Sequence, residues 1–155
     1  MSAGLLPYRT LADGSVAVLL VHPGGPFWAR KDAGSWSLAK GEAEACEAGT
    51  PLLEVARREF REETGFVAEG PFLPLGALTQ PGGKAVHAWA VRGAWDPAQL
   101  ASNTFVMEFP RGSGRMQAFP EVDRAAWFDV ETARSKLLRG QIAFLDRLLQ
   151  CLDET

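Results

Sequence analysis

Arg58-Glu59-Phe60-Arg61-Glu62-Glu63-Thr64-Gly65-Phe66 crowds three carboxylates into the residues just ahead of a glycine. Upstream lie Pro51, Leu52, Leu53, Val55 and Ala56. Proline early, apolar residues at helical spacing and Gly65 just past the end predict a helix from about Pro51 to Thr64. At roughly 100° per residue, Leu52, Leu53, Val55, Ala56 and Phe60 define one face, and Glu59, Glu62 and Glu63 share an arc overlapping it. Arg57, Arg58 and Arg61 fall towards the opposite side. Glu59 and Glu63, four residues apart, repel each other. All three acids sit at the C-terminal end of the helix, where the macrodipole disfavours anions. Partial burial adds a desolvation penalty. A divalent cation would reverse all three effects, and magnesium suits an all-oxygen site. Read on its own, the helix is equally a solvated acidic helix end with an Arg58–Glu62 pair.

Outward from this helix, apolar runs separated by turn residues read as strands. Ser15–His22 is rich in valine and leucine and has the character of a central strand buried on both faces, ended by Pro23-Gly24-Gly25-Pro26. Trp36–Leu38, Pro74–Thr79, Ala85–Val91, Thr104–Phe109 and Ala125–Phe128 are further strand candidates, with Pro81-Gly82-Gly83 as a hairpin turn. Ile142, Leu145, Leu148, Leu149 and Leu152 recur at helical spacing near the C-terminus; a shorter helix over Glu131–Leu138 precedes them, with Gly140 at the joint. The expected class is α/β, a mixed β-sheet with helices on both sides. The length of 155 residues suits a single domain, 1–155.

Composition narrows the function. Apolar residues make up 46% and charged residues 23%, with a net charge of −3. No basic run of the kind duplex nucleic acid demands is present, so a small anionic substrate held through a metal is the easier partner. The start MSAGLLPYRT lacks a secretory pattern, and Val16–Val21, the longest apolar stretch, is too short to span a bilayer. Cys46 and Cys151 form neither a zinc pattern nor a disulfide framework. A cytoplasmic protein, monomer or homodimer, with no membrane partner is expected.

Read with its flanks, the acidic helix resembles the Nudix box. That pattern is a glycine, five residues, a glutamate and seven residues, then R-E-hydrophobic-x-E-E-x-G-hydrophobic. Residues 58–66 match every specified position, and Gly41 stands for the first glycine. Trp36-Ser37-Leu38-Ala39-Lys40-Gly41-Glu42 is similar to the lead-in, with Ala39 where proline is usual. The first half departs from the pattern. Glu47 has the right spacing from Gly41, but ten residues separate it from Arg58, and counting back from Arg58 puts Thr50 at the glutamate position. An enlarged loop explains either count. The resemblance extends over nearly the whole chain to bacterial predicted NTP pyrophosphohydrolases, through landmarks at Val21–Arg30 and Phe119–Phe128.

The resemblance implies a Nudix-type α/β/α sandwich that hydrolyses a phosphoanhydride bond in a nucleoside diphosphate linked to another moiety. It implies a magnesium cofactor, with manganese as a substitute, held by Glu59 and Glu63, by Glu62 directly or through water, and by the Gly41 carbonyl. Arg58 corresponds to the arginine that orients a box glutamate. Lys40 is either a ligand for substrate phosphate or a plain loop lysine. A general base outside the helix is common in the family, and Glu121 is the first candidate and Glu108 the second. The substrate class that leads is a (deoxy)nucleoside triphosphate. Pro81, about fifteen residues beyond the box, points weakly to ADP-ribose or another nucleotide sugar. The alternative of another class is a non-catalytic nucleotide-binding Nudix module. Trp28, Trp36, Trp89 and Trp95 are stacking candidates that strands more often bury. His22 and His87 read as packed, hydrogen-bonded residues.

Overall fold

The computed structural model describes residues 1–44 and 48–153. Its elements follow the order β1 (Ser2–Thr10), β2 (Val16–Pro23), β3 (Ala39–Glu42), α1 (Leu52–Thr64), β4 (Phe72–Thr79), β5 (Ala85–Arg92), β6 (Thr104–Glu108), β7 (Met116–Pro120), β8 (Val122–Asp129), α2 (Val130–Lys136) and α3 (Ala143–Asp153). A mixed sheet has the order β4-β5-β1-β2-β8, with β3 also paired to β1. The strands β6 and β7 form a separate hairpin. Each face of the sheet carries an apolar layer. One holds Val55, Ala56 and Phe60 of α1 against Leu5, Leu19 and Val21. The other holds Ala133 of α2 and Phe144, Leu145 and Leu148 of α3 against Leu6, Val18 and Leu20. Successive residues of β2 therefore feed opposite layers, and its continuous Val-Leu run is buried on both faces as expected. The result is the α/β/α sandwich.

The central strand β1 is the element without a clean sequence signature, because Gly4 and Pro7 interrupt it. Both have reasons in the sheet. A Cβ on Gly4 would stand 2.8 Å from the Ala39 carbonyl oxygen, so glycine permits the close approach of β3. On one side β1 runs parallel to β5 over Ser2–Tyr8. On the other it forks: Ser2–Leu5 pair with β3, and Tyr8–Thr10 pair with β2. Pro7 falls in the gap of the fork, where a missing N–H breaks no antiparallel ladder. The fork matters for function because it delivers Lys40 and Gly41, on β3, to the end of the sheet beside α1.

The segment Trp36–Leu38 differs from the strand expected there. It makes single bridges on two sides, Val21 with Ser37 and Trp36 with Leu137, and a regular ladder starts only at Ala39. A side chain substitutes for the ladder. Fully buried Gln141 accepts from the Leu38 N–H at 3.0 Å and donates to Ser37 Oγ at 3.1 Å. Gln141→Leu keeps the volume but strands the Leu38 N–H, and a buried unpaired donor costs about 1–3 kcal/mol. Urea denaturation should show a loss of that size; an unchanged midpoint would mean that Gln141 does not hold the lead-in.

Candidate metal and active site

The helix α1 stops where the sequence says it should. Gly65 adopts φ 79°, and its N–H donates to the Arg61 carbonyl. The carbonyls beyond are capped by a passing segment: the Ala101 N–H donates to Thr64 O at 2.9 Å and the Asn103 N–H to Glu62 O at 2.8 Å. The same segment holds the turn after β7. Glu121 N–H donates to Asn103 O at 2.8 Å, and Val122 N–H donates to Ser102 Oγ at 3.0 Å. Residues 101–103 therefore fasten Glu121 to the acidic end of α1.

A cavity of about 300 Å³ opens there, lined by Lys40, Gly41, Glu44, Glu59, Glu62, Glu63, Asn103 and Glu121. The structure thus brings Glu59, Glu62, Glu63, Gly41, Lys40 and Glu121 to one place. Glu108 is elsewhere: it is exposed on the β6–β7 hairpin, where it accepts from the Gly112 N–H. Asn103 and Glu44 belong to the lining without any sequence signal, since each lies in irregular chain. Glu47 and Cys46 lie outside the described residues.

Arg58 does not stay on the far side of the helix. Its Nη1 lies 2.9 Å from Glu59 Oε1 and 2.9 Å from Glu62 Oε2, and Nη2 donates to the Glu42 carbonyl at 3.3 Å. The Arg58 side chain is 19% exposed and that of Glu62 38%, so the pair is partly buried. Glu63 Oε2 accepts from the Lys40 N–H at 2.9 Å. Glu59 packs directly on Gly41, where an added Cβ would overlap its carboxylate.

Burial pushes the Glu63 carboxyl up to about 8, with repulsion from Glu59 next in weight and Glu121 contributing in the same direction. Burial also raises Glu59, against the lowering effect of Arg58. Two poorly solvated carboxylates that repel one another fit a hard divalent cation. Among the described residues no three histidine, cysteine or carboxylate side chains converge as a full ligand shell. Magnesium does not need three, since one or two carboxylates with waters and substrate phosphates are its usual shell.

A second cavity of about 230 Å³ adjoins the first and shares Lys40, Glu63 and Glu121 with it. Val21, Pro23, Trp28, Leu38 and Leu138 make its walls largely apolar, and Ser35 and Ser37 supply hydroxyls. Of the tryptophans considered as stacking groups, Trp28 lines this cavity and is 37% exposed. Trp36 is buried with its Nε1–H on Asp32, and Trp95 packs between Phe60 and Phe66. Pro81 sits in the β4–β5 turn close to Gly140 and lines neither cavity. Buried His22 lies between Asp123 Oδ1 at 2.8 Å and the Lys31 carbonyl at 2.6 Å. His22 thereby joins the segment carrying Trp28 to the start of β8. Gly24 tightens the same junction. Its N–H donates to Glu121 O at 2.9 Å, and a Cβ there would collide with the Pro120 carbonyl. No helix among the described residues is long and apolar enough to cross a membrane.

Several solved structures share this architecture. The C. elegans Ap4A hydrolase, solved as a binary complex, is 20% identical over 100% of both chains, with a TM-score of 0.67. The NUDIX domain of Shewanella oneidensis NrtR, solved with ADP ribose, is 14% identical over 97% of this chain and 86% of that one, with a TM-score of 0.64. The MutT protein of Methanosarcina mazei Go1 is 20% identical over 96% and 91%, with a TM-score of 0.57. At these identities the likeness is one of fold. No curated protein matches the chain. The NUDIX domain profile, however, matches residues 8–148, and with the acidic end of α1 closing on Gly41 as described, the chain belongs to the Nudix family.

Proposed function

We propose that the chain, acting as one domain over residues 1–155, is a magnesium-dependent hydrolase that cleaves a phosphoanhydride bond of a (deoxy)nucleoside triphosphate. The observation that carries this reading is the pair of joined cavities, one acidic and one largely apolar, with Lys40, Glu63 and Glu121 at their junction. An apolar pocket with a few hydroxyls suits a nucleoside, and an acidic pocket beside it suits a metal bridging to phosphates.

In this reading Glu59 and Glu63 would hold the ion together with the Gly41 carbonyl, with Glu62 a ligand directly or through water. When bound, magnesium lowers the pKa of the attacking water and offsets charge on the phosphate oxygens. Arg58 keeps Glu59 and Glu62 in fixed positions, so little reorganisation is needed when substrate arrives. The Lys40 ammonium neutralises substrate phosphate, while its backbone N–H orients Glu63. Glu121 takes the proton of the attacking water at its carboxylate; its backbone tether to Asn103 holds it over the cavity.

The test is a panel of nucleoside triphosphates, nucleotide sugars and ADP-ribose incubated with magnesium and analysed by chromatography of products. Hydrolysis should be abolished by EDTA and restored by magnesium. Turnover persisting in EDTA would overturn the metal assignment. Saturable nucleotide binding with no product would make the chain a binding module, and preferred cleavage of ADP-ribose would replace the triphosphate reading.

Glu63→Gln preserves size and removes charge. It should lower kcat by roughly 100-fold or more, because a displaced ion no longer matches the transition state. The sign of its effect on stability follows from proton binding. Glu63 holds its proton more tightly folded, at about 8, than at its ordinary 4.5. Metal-free protein should therefore lose stability as pH rises between those values, and Glu63→Gln should flatten that dependence. Thermal melts in EDTA across this pH range check the point; identical slopes would contradict it.

Gly41→Ala separates site from fold. The three atoms nearest the new methyl belong to the Glu59 carboxylate, the far end of a flexible side chain that must move aside. We expect a melting temperature within a few degrees of wild type and a fall in kcat of about tenfold or more, through a misplaced ligand. Wild-type kcat would show that Glu59 need not pack on Gly41.

A further inference from the structure

On the other side of the segment that carries Trp28 lies an open groove of about 520 Å³ that the proposed reaction does not use. Arg30, Lys31, Arg124 and Lys136 line it with one carboxylate, Asp32. The chain as a whole is acidic, at −3, so this is a local reversal of sign.

Three features distinguish the groove from a solvated basic face. Its only lining carboxylate is already engaged, by the Trp36 Nε1–H at 2.8 Å and by Lys136 Nζ at 2.5 Å. The cations are seated on rings: Arg124 lies 5.5 Å from the centre of Trp36, Lys136 5.7 Å from Phe128 and Lys31 4.9 Å from Trp28. Finally, Lys31 and Arg124, on different segments, are fixed relative to one another by buried His22, which bonds the Lys31 carbonyl and the Asp123 side chain next to Arg124. Arg30 and Lys31 have no carboxylate partner among the described residues. Arg124 also lies 3.9 Å from Asp123 Oδ1; cations with spare donors, held on anchored segments, are what a multiply charged anion requires.

We propose that this groove is a binding site for an oligophosphate chain, separate from the acidic cavity. A surplus of positive charge remains after Asp32 and Asp123 are counted, and its spread over three segments of chain suits several linked phosphates. Such a chain can be inorganic or belong to a nucleotide, and the site does not depend on the hydrolytic reading.

Metal-free protein in EDTA isolates the groove, because the acidic cavity then repels phosphate. Calorimetric titration with inorganic tripolyphosphate and, in parallel, with ATP should give saturable binding that weakens with added salt. Arg30→Gln/Lys31→Gln removes two exposed charges while keeping the backbone bond to His22. It should weaken binding about tenfold or more, with an unchanged melting temperature and near-UV circular dichroism. Tighter binding of ATP assigns the groove to nucleotides, and tighter binding of tripolyphosphate assigns it to an inorganic chain. Absence of saturable binding, or equal affinity in the double variant, would overturn the proposal.

Discussion

The mutual repulsion of Glu59 and Glu63 at the C-terminal end of α1 is the constraint around which this molecule is arranged. Like charges four residues apart, at the negative end of a helix and largely out of water, are unfavourable on every electrostatic count. The fold does not relieve the strain by exposing them. Phe60, between them in sequence, is anchored in the core with Val55 and Ala56, so the helix cannot rotate the carboxylates outward without losing that layer. The burden appears as proton affinity, with Glu63 pushed up to about 8. Apolar packing thus stabilises the helix in an orientation that electrostatics opposes, and a bound cation would resolve the conflict.

The surrounding chain limits how that conflict can be resolved. Arg58 satisfies Glu59 and Glu62 but leaves Glu63 with the Lys40 N–H. Residues 101–103 take up the orphan carbonyls of Glu62 and Thr64, and in doing so bring Glu121 and its negative charge to the same end of the helix. A segment serving stability alone would have brought lysine there. The capping problem common to every helix end is solved here by chain that also positions an acid over the cavity.

How much of this is legible in the sequence depends on whether the signal is local. The helix, its stop at Gly65 and the convergence of its acids follow from residues 51–66, because periodicity and capping operate within a few turns. The β2 strand follows from an unbroken Val-Leu run. The β1 strand does not, since Gly4 and Pro7 are acceptable only where the sheet forks, and a fork is a property of three strands together. The same holds for Arg58. Its place on the helical wheel sets it away from the acids, but a long side chain under their field reaches round to them. Asn103 is invisible for another reason: it acts through its backbone, and backbone hydrogen bonds of irregular chain leave no mark on residue type.

Charge was the least legible property. A net of −3 suggests a uniformly acidic surface, yet the fold sorts charge into an acidic cavity and a basic groove on either side of residues 28–36. The sorting escapes any scan along the chain because Arg30 and Lys31, Arg124 and Lys136 come from three distant segments. Those segments meet at His22 and Trp36. The imidazole bonds the Lys31 carbonyl and Asp123, and the indole bonds Asp32 and carries Arg124 on its face. Two buried polar rings therefore do for the groove what Phe60 does for the cavity: they hold charges where solvation and repulsion alone would not leave them. In both places the core fixes the position of the charges, and ligand chemistry is set by which charges are left unanswered.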